Sequence, residues 1–269
     1  MKRLLVFFTI LIFCFLAACS PIRFYDTPDA DVSGETAGGG DSDSDSDSDG
    51  SSAGSEQDDD SATSSGQNND EDIIWTSLAA VDWTVAWTGY GQVVFDDDGV
   101  MLEPKRPDVD DELHSALVLL NDALTTPVID FKITLSVTNQ EQLQPTTPEA
   151  WEVFWLLFNF SATEDYDTRT FNYFVLKTNG VELGVYENYG VEHQTFLATE
   201  SEPQAIIGVA NEWVIEKIGQ NLSAWIDGAL VMTFDGAVEE EPLLDQAGTF
   251  GLYTEDARVR VHSVEILPY

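Results

Sequence analysis

Asp45, Asp47, Asp49, Gly50 and Glu56 stand at the first, third, fifth, sixth and twelfth places of a calcium loop, within the stretch DSDSDGSSAGSE. Such a loop holds its ligands only when a helix flanks it on each side. No amphipathic run precedes or follows it here, so the stretch reads as solvated polar chain. Elsewhere the residues that carry chemistry are sparse. Glu255 and Asp256 form the best remaining carboxylate pair, and together with Glu152 they are the groups from which acid–base hydrolysis of a sugar would be built. Adjacent side chains on an extended loop diverge, and the primary reading therefore assigns no catalytic residue. A lyase would need a base beside a cation; Arg169 and Tyr173 are the candidates. His114, His193 and His262 are dispersed and lack metal-ligand spacing, and there is no Gly-x-Ser-x-Gly elbow or phosphate loop. The primary reading assigns no cofactor and no metal; if a structural calcium ion binds, Asp96, Asp98 and Asp256 are its expected ligands.

Aromatic residues are more informative than ionisable ones. All seven tryptophans, from Trp75 to Trp225, lie in the C-terminal three-quarters of the chain. Flat rings bind the C–H faces of sugars while nearby amides and charges take the hydroxyls. The places where rings and polar groups share a strand are Trp155 with Asn159, Tyr173 with Lys177, and Gln194 in HQTFLAT. These five residues are the candidate carbohydrate-binding set. The competing reading is structural: rings packed in a core, Lys177 lying along a carboxylate, and Gln194 serving a loop.

The elements that must position them begin with a divided chain. MKRLLVFFTILIFCFLAACS has a short basic start, an apolar run from Leu4 to Leu16 and small residues after it. The run is too short to span a membrane and reads as an export signal. Leu16–Ala17–Ala18–Cys19 resembles the lipobox of bacterial lipoproteins, which implies cleavage before Cys19, lipid attachment there and an outer-membrane or cell-surface location. The two cysteines are Cys14 and Cys19, so no disulfide supports the remainder. Residues 20–72 hold sixteen acidic residues against Arg23 and are dominated by Asp, Ser, Gly and Asn. A segment so poor in apolar surface cannot offset its ordering entropy, and it is read as a tether. Residues 73–269 carry 33 acidic and eight basic residues, a net charge of −25. That field repels phosphate backbones and anionic lipids, which excludes nucleic acid and disfavours sulfated or uronate polymers.

Within residues 73–269 strand signals run throughout. GQVVF and GVMLEPK flank Asp96–Asp98 as a hairpin. SALVLL, VIDFKITLSVT and WEVFWLLFNFS follow, the last apolar on both faces up to Asn159 and therefore a covered central strand. Further hairpins turn at Thr178–Gly180, Gly219–Asn221 and Asp227–Gly228, and GTFGLYT and RVRVHSVEIL close the chain. In the last strand Val259, Val261, Val264, Ile266 and Leu267 supply the apolar side, with a bulge expected between Val261 and Val264. One short helix is expected near Pro148–Trp151. The pattern predicts an all-β, two-sheet antiparallel sandwich over residues 73–269.

NEWVIEKIGQNLSAWIDGALVMTFDG followed by AGTFGLYTEDARVRVHSVEI resembles the C-terminal half of concanavalin A-like jelly rolls of the LamG and 3-keto-disaccharide hydrolase-like group. The likeness runs from about Trp151 onward; His262 stands where members usually have an aromatic residue. It implies a jelly-roll sandwich, a fold that hosts lectins, adhesins, hydrolases and lyases alike. The β-glucanase branch uses a Glu-x-Asp-x-x-Glu strand. The one Glu-x-Asp here is Glu56–Gln57–Asp58, with Ser61 at the last place, so that enzyme is excluded. The expected function is a surface-tethered lectin-like lipoprotein that binds a neutral polysaccharide or oligosaccharide. The alternatives are a glycoside hydrolase or lyase, or an adhesive envelope protein with no glycan.

Overall fold

The computed structural model describes residues 77–109, 112–121, 128–164, 166–238 and 242–269. The expected signal peptide, Cys19, the tether and the calcium-loop stretch all lie outside the described residues. A single 3-10 turn, Ala80–Asp82, leads into fourteen strands. These are β1 (Trp83–Trp87), β2 (Gln92–Asp96), β3 (Gly99–Glu103), β4 (Ser115–Leu120), β5 (Phe131–Gln142), β6 (Phe154–Ala162) and β7 (Thr168–Lys177). Then follow β8 (Gly180–Tyr189), β9 (Glu192–Glu200), β10 (Ala210–Ile218), β11 (Asn221–Ile226), β12 (Ala229–Asp235), β13 (Thr249–Glu255) and β14 (Ala257–Pro268). They form two antiparallel seven-stranded sheets. One has the order β12-β11-β10-β5-β14-β3-β2 and the other β1-β4-β13-β6-β7-β8-β9. This is the all-β, two-sheet antiparallel sandwich that the strand pattern predicted.

The expected hairpins form where their turn residues stand. Asp227 and Gly228 both take positive φ, 51° and 76°, and turn β11 into β12. The bulge in β14 falls where Val261 and Ser263 shift register against β5. Two expectations fail. Pro148–Trp151 is an irregular turn rather than a helix, because the Glu152 carboxylate accepts the Glu149 N–H at 2.6 Å and closes it locally. Leu267 is half-buried, next to Ile266 at 1% exposure, since consecutive strand residues point to opposite faces.

The core lies between the sheets. Phe154 and Phe174 of one sheet meet Trp213 of the other at 5.3 and 5.4 Å between ring centres, and Phe131 meets Phe158 and Phe250 at 5.4 and 4.8 Å. The outward side of the β5–β10–β14 sheet is polar, with Lys132, Thr134, Glu212, Glu216, Arg260 and His262. The other sheet differs. β4, β7 and β13 are buried along almost their whole lengths, as are β6 up to Phe160 and β8 up to Tyr186. β6 is its middle strand, as its two apolar faces predicted.

Candidate functional site

Strand alternation places a second set of rings on the side of this sheet turned away from the other sheet. Cross-strand pairing puts Tyr253 beside Trp155, Tyr173 beside Gly184, Gly184 beside Phe196 and Tyr186 beside Gln194, so these share one face. Trp87, Leu117, Phe171, Val175 and Glu182 lie on it as well. Three of the five candidate binding residues, Trp155, Tyr173 and Gln194, are therefore neighbours on one surface, with Lys177 at its edge. They are not arranged as an open groove, however. In the full 269-residue chain Trp155 is 2% exposed and Tyr173 0%. Trp155 packs against Tyr173 at 4.9 Å and against Tyr253 at 6.1 Å, and its indole N–H donates to the Trp151 carbonyl at 2.9 Å. Neither ring presents a face to solvent, which corrects the expectation that they act as sugar platforms.

The polar candidates are also engaged. The Tyr173 hydroxyl donates to Glu182 Oε1 at 2.9 Å and accepts from the Gln194 amide at 2.8 Å, while Lys177 forms an ion pair with the other Glu182 oxygen. Lys177 thus lies along a carboxylate. Asn159 departs furthest from its expected role. It takes φ of 51° at a register shift between β6 and β7, which turns its amide toward the end of the sheet. There it donates to the Val128 and Gln246 carbonyls at 3.2 and 2.8 Å and accepts from Asn172 at 3.0 Å. It is a structural pin.

Part of this face is accessible at its β9 margin. Phe196 is 44% exposed, next to the half-buried Gln194 and one strand from Tyr173. Sequence reasoning passed over Phe196, although it sits two residues after Gln194 in the same HQTFLAT run. Gly184 makes the arrangement possible. A Cβ there would collide with the Tyr173 hydroxyl and come within 2.7 Å of the Thr195 carbonyl, so the phenol lies across bare backbone. Gly184→Ala is expected to displace Tyr173 and cost about 1–3 kcal/mol, measured by denaturant unfolding. An unchanged midpoint would mean that the phenol has room to move.

The structure brings the three candidate acids together. Glu255, on the ring-bearing face of β13, accepts from the Tyr253 hydroxyl at 3.3 Å. Burial first, and the Asp256 carboxylate second, push its pKa up to about 8. Burial likewise raises Glu152 to about 8 against the Glu149 N–H bond, with Asp256 adding to the rise. Asp256 is raised by burial to about 6 despite accepting from the His114 N–H at 2.8 Å and the Gln144 amide at 2.9 Å. With φ of 45° it is the turn residue that joins β13, β14 and the chain at His114. Both Glu255 and Glu152 are under 3% exposed, so neither is presented to a substrate. The other expected calcium ligands do not converge on Asp256: Asp96 and Asp98 sit in the β2–β3 turn, where Asp96 pairs with Arg260 and caps the Asp98 N–H. Among the described residues no group of three or more acidic, histidine or cysteine side chains is placed to hold a metal ion. Arg169 and Tyr173 share a face of β7, but Arg169 is engaged with the Tyr166 carbonyl and Glu192. The three histidines stay apart: His114 is buried against the Lys105 carbonyl, His262 meets Thr138 and His193 meets Thr195.

No known family model matches the sequence, and none of the curated proteins matches it. Solved structures do. A carbohydrate-binding module, CBM66 from Bacillus subtilis, aligns over 68% of this chain and 94% of its own with 13% identity and a TM-score of 0.47. The exoplasmic domain of VIP36, in a form bound to Ca2+ and Man3GlcNAc, aligns over 70% and 84% with 9% identity and a TM-score of 0.47. A family 16 endo-glucanase from Bacteroides ovatus aligns over 74% and 96% with 12% identity and a TM-score of 0.42.

Proposed function

We propose that the protein is a surface-tethered, lectin-like lipoprotein that holds a neutral glycan at the β9 margin of this sheet, at Phe196 and Gln194. One observation carries this reading: aromatic side chains from five adjacent strands share the face of a sheet turned away from the other sheet, and that face reaches solvent at its β9 margin. At their edge stand an exposed ring, Phe196, and a half-buried amide, Gln194. Gln194 is held by the Tyr173 hydroxyl and is thereby oriented before a ligand arrives. The domain's net charge of −25 selects against polyanions, so the partner is uncharged. Attachment at Cys19 and the acidic segment that follows would present the domain away from the membrane.

The test is a glycan array probed with the mature chain, with and without a calcium chelator, beside Phe196→Ala and Gln194→Ala. The expected result is binding to at least one neutral glycan, weakened about tenfold by Phe196→Ala, at the upper end of the ~0.5–1.5 kcal/mol that an aromatic contact contributes. Failure of the mature chain to bind any neutral glycan would leave the adhesive, glycan-free alternative. Loss of binding on chelation would add a calcium ion to the account.

A further inference from the structure

At the end of the same face where β4 and β6 finish and β1 and β13 begin lies a cavity of about 520 Å³. Its size falls within the range of small-molecule sites. Tyr166 is the accessible ring of its wall; Phe160, 6.5 Å from it with planes inclined at 56°, is 4% exposed and stacks on Phe171 beneath. Leu119 adds apolar surface, and Asn121 and Ser161 add polar groups. The lining holds no lysine, arginine or histidine, and its single carboxylate belongs to Glu164.

The walls are fixed before any ligand arrives. Asn121 donates to the Val81 carbonyl at 2.7 Å and accepts from the Thr84 hydroxyl. Tyr166 takes φ of 61°, a backbone region that residues other than glycine rarely enter. Three contacts hold it there: its carbonyl accepts from Arg169 at 2.7 Å, its N–H donates to the Thr163 carbonyl at 2.9 Å, and its ring meets Trp87 edge-on at 5.5 Å. On the far lip Gly248 lies so close to β6 that an added Cβ would stand 2.6 Å from the Phe160 carbonyl. A rigid pocket with inclined rings, apolar patches and neutral hydrogen-bonding groups fits a small uncharged ring that has both C–H faces and hydroxyls.

We infer that this cavity is a separate subsite that takes one neutral monosaccharide unit. The inference rests on the glycan-binding reading above and assigns that reading a place for one sugar ring. The subsite binds a single sugar by itself, because its contacts are complete without the rest of the face.

The experiment titrates the mature chain with neutral methyl glycosides (glucoside, galactoside, mannoside, xyloside and fructofuranoside). Tryptophan fluorescence reports through Trp87, and saturation-transfer NMR gives an independent signal. Ala162→Trp fills the cavity from the strand end, and Tyr166→Gly removes a wall while suiting the positive φ. The expected result is saturable binding of at least one glycoside, weakened tenfold or more by Ala162→Trp and by Tyr166→Gly, with cooperative unfolding retained. Should Tyr166→Gly fail to fold, Ala162→Trp decides. Polymer binding that Phe196→Ala weakens, together with no glycoside bound or with Ala162→Trp as tight as the parent, overturns the subsite and leaves the glycan reading standing. If the mature chain binds neither polymer nor glycoside, both fall together.

Discussion

Trp155→Ala lowers the free energy of unfolding by about 3–5 kcal/mol, the range for emptying a buried tryptophan site. The indole is 2% exposed, wedged between Tyr173 and Tyr253, and its N–H is bonded to the Trp151 carbonyl, so truncation removes ring contacts on both sides and one of that carbonyl's two donors, the Val153 N–H at 2.8 Å remaining. Denaturant unfolding measures the loss. The result discriminates between two roles. An exposed platform would lose affinity for glycan at little cost to stability, whereas the buried frame loses stability first. Affinity of the folded fraction should change much less than it does in Phe196→Ala. A stability change under ~1 kcal/mol would return Trp155 to the list of ligand-contacting residues.

The second large effect is on pH. Glu255 moves from an ordinary value of 4.5 in the unfolded chain to about 8 in the folded one, chiefly through burial. A folded-state pKa raised above the unfolded one means that the native state holds its proton more tightly. The stability tied to that proton is fully present below pH 4.5 and is lost as pH rises through about 8. The interval corresponds to at most ~5 kcal/mol for this one group, and Glu152 acts in the same direction. Thermal unfolding is therefore expected to fall on the order of 10 °C between pH 5 and pH 9. Self-repulsion of so acidic a chain also grows with pH, which is why Glu255→Gln is the deciding comparison. That variant keeps the shape, cannot ionise, and should flatten most of the slope. A slope identical to that of the parent would place the loss elsewhere.

Much of the fold was legible because its signals are local. Asp227–Gly228 and Thr178–Gly180 turn hairpins by backbone preference alone, and the offset between Val261 and Val264 announced the bulge in β14. The two apolar faces of WEVFWLLFNFS placed β6 at the middle of its sheet. The site was legible only in part. Trp155, Tyr173 and Gln194 could be grouped because they fall on neighbouring strands, but alternation gives a side chain's face and not what covers it. The local roles of Asn159 and Asp256 were not legible for another reason. Each adopts positive φ, which no alternation rule anticipates, and each becomes a pin that joins segments distant in sequence. Phe196 was overlooked because a lone phenylalanine among threonines on an edge strand resembles any other half-buried ring.

Amide hydrogen exchange of the mature chain, with and without a saturating neutral glycan, tests the central claim most directly. The account predicts added protection along β7, β8 and β9, strongest around Gln194 and Phe196. Protection confined to the polar outward side of β5, β10 and β14, or no change with any neutral glycan, would contradict it.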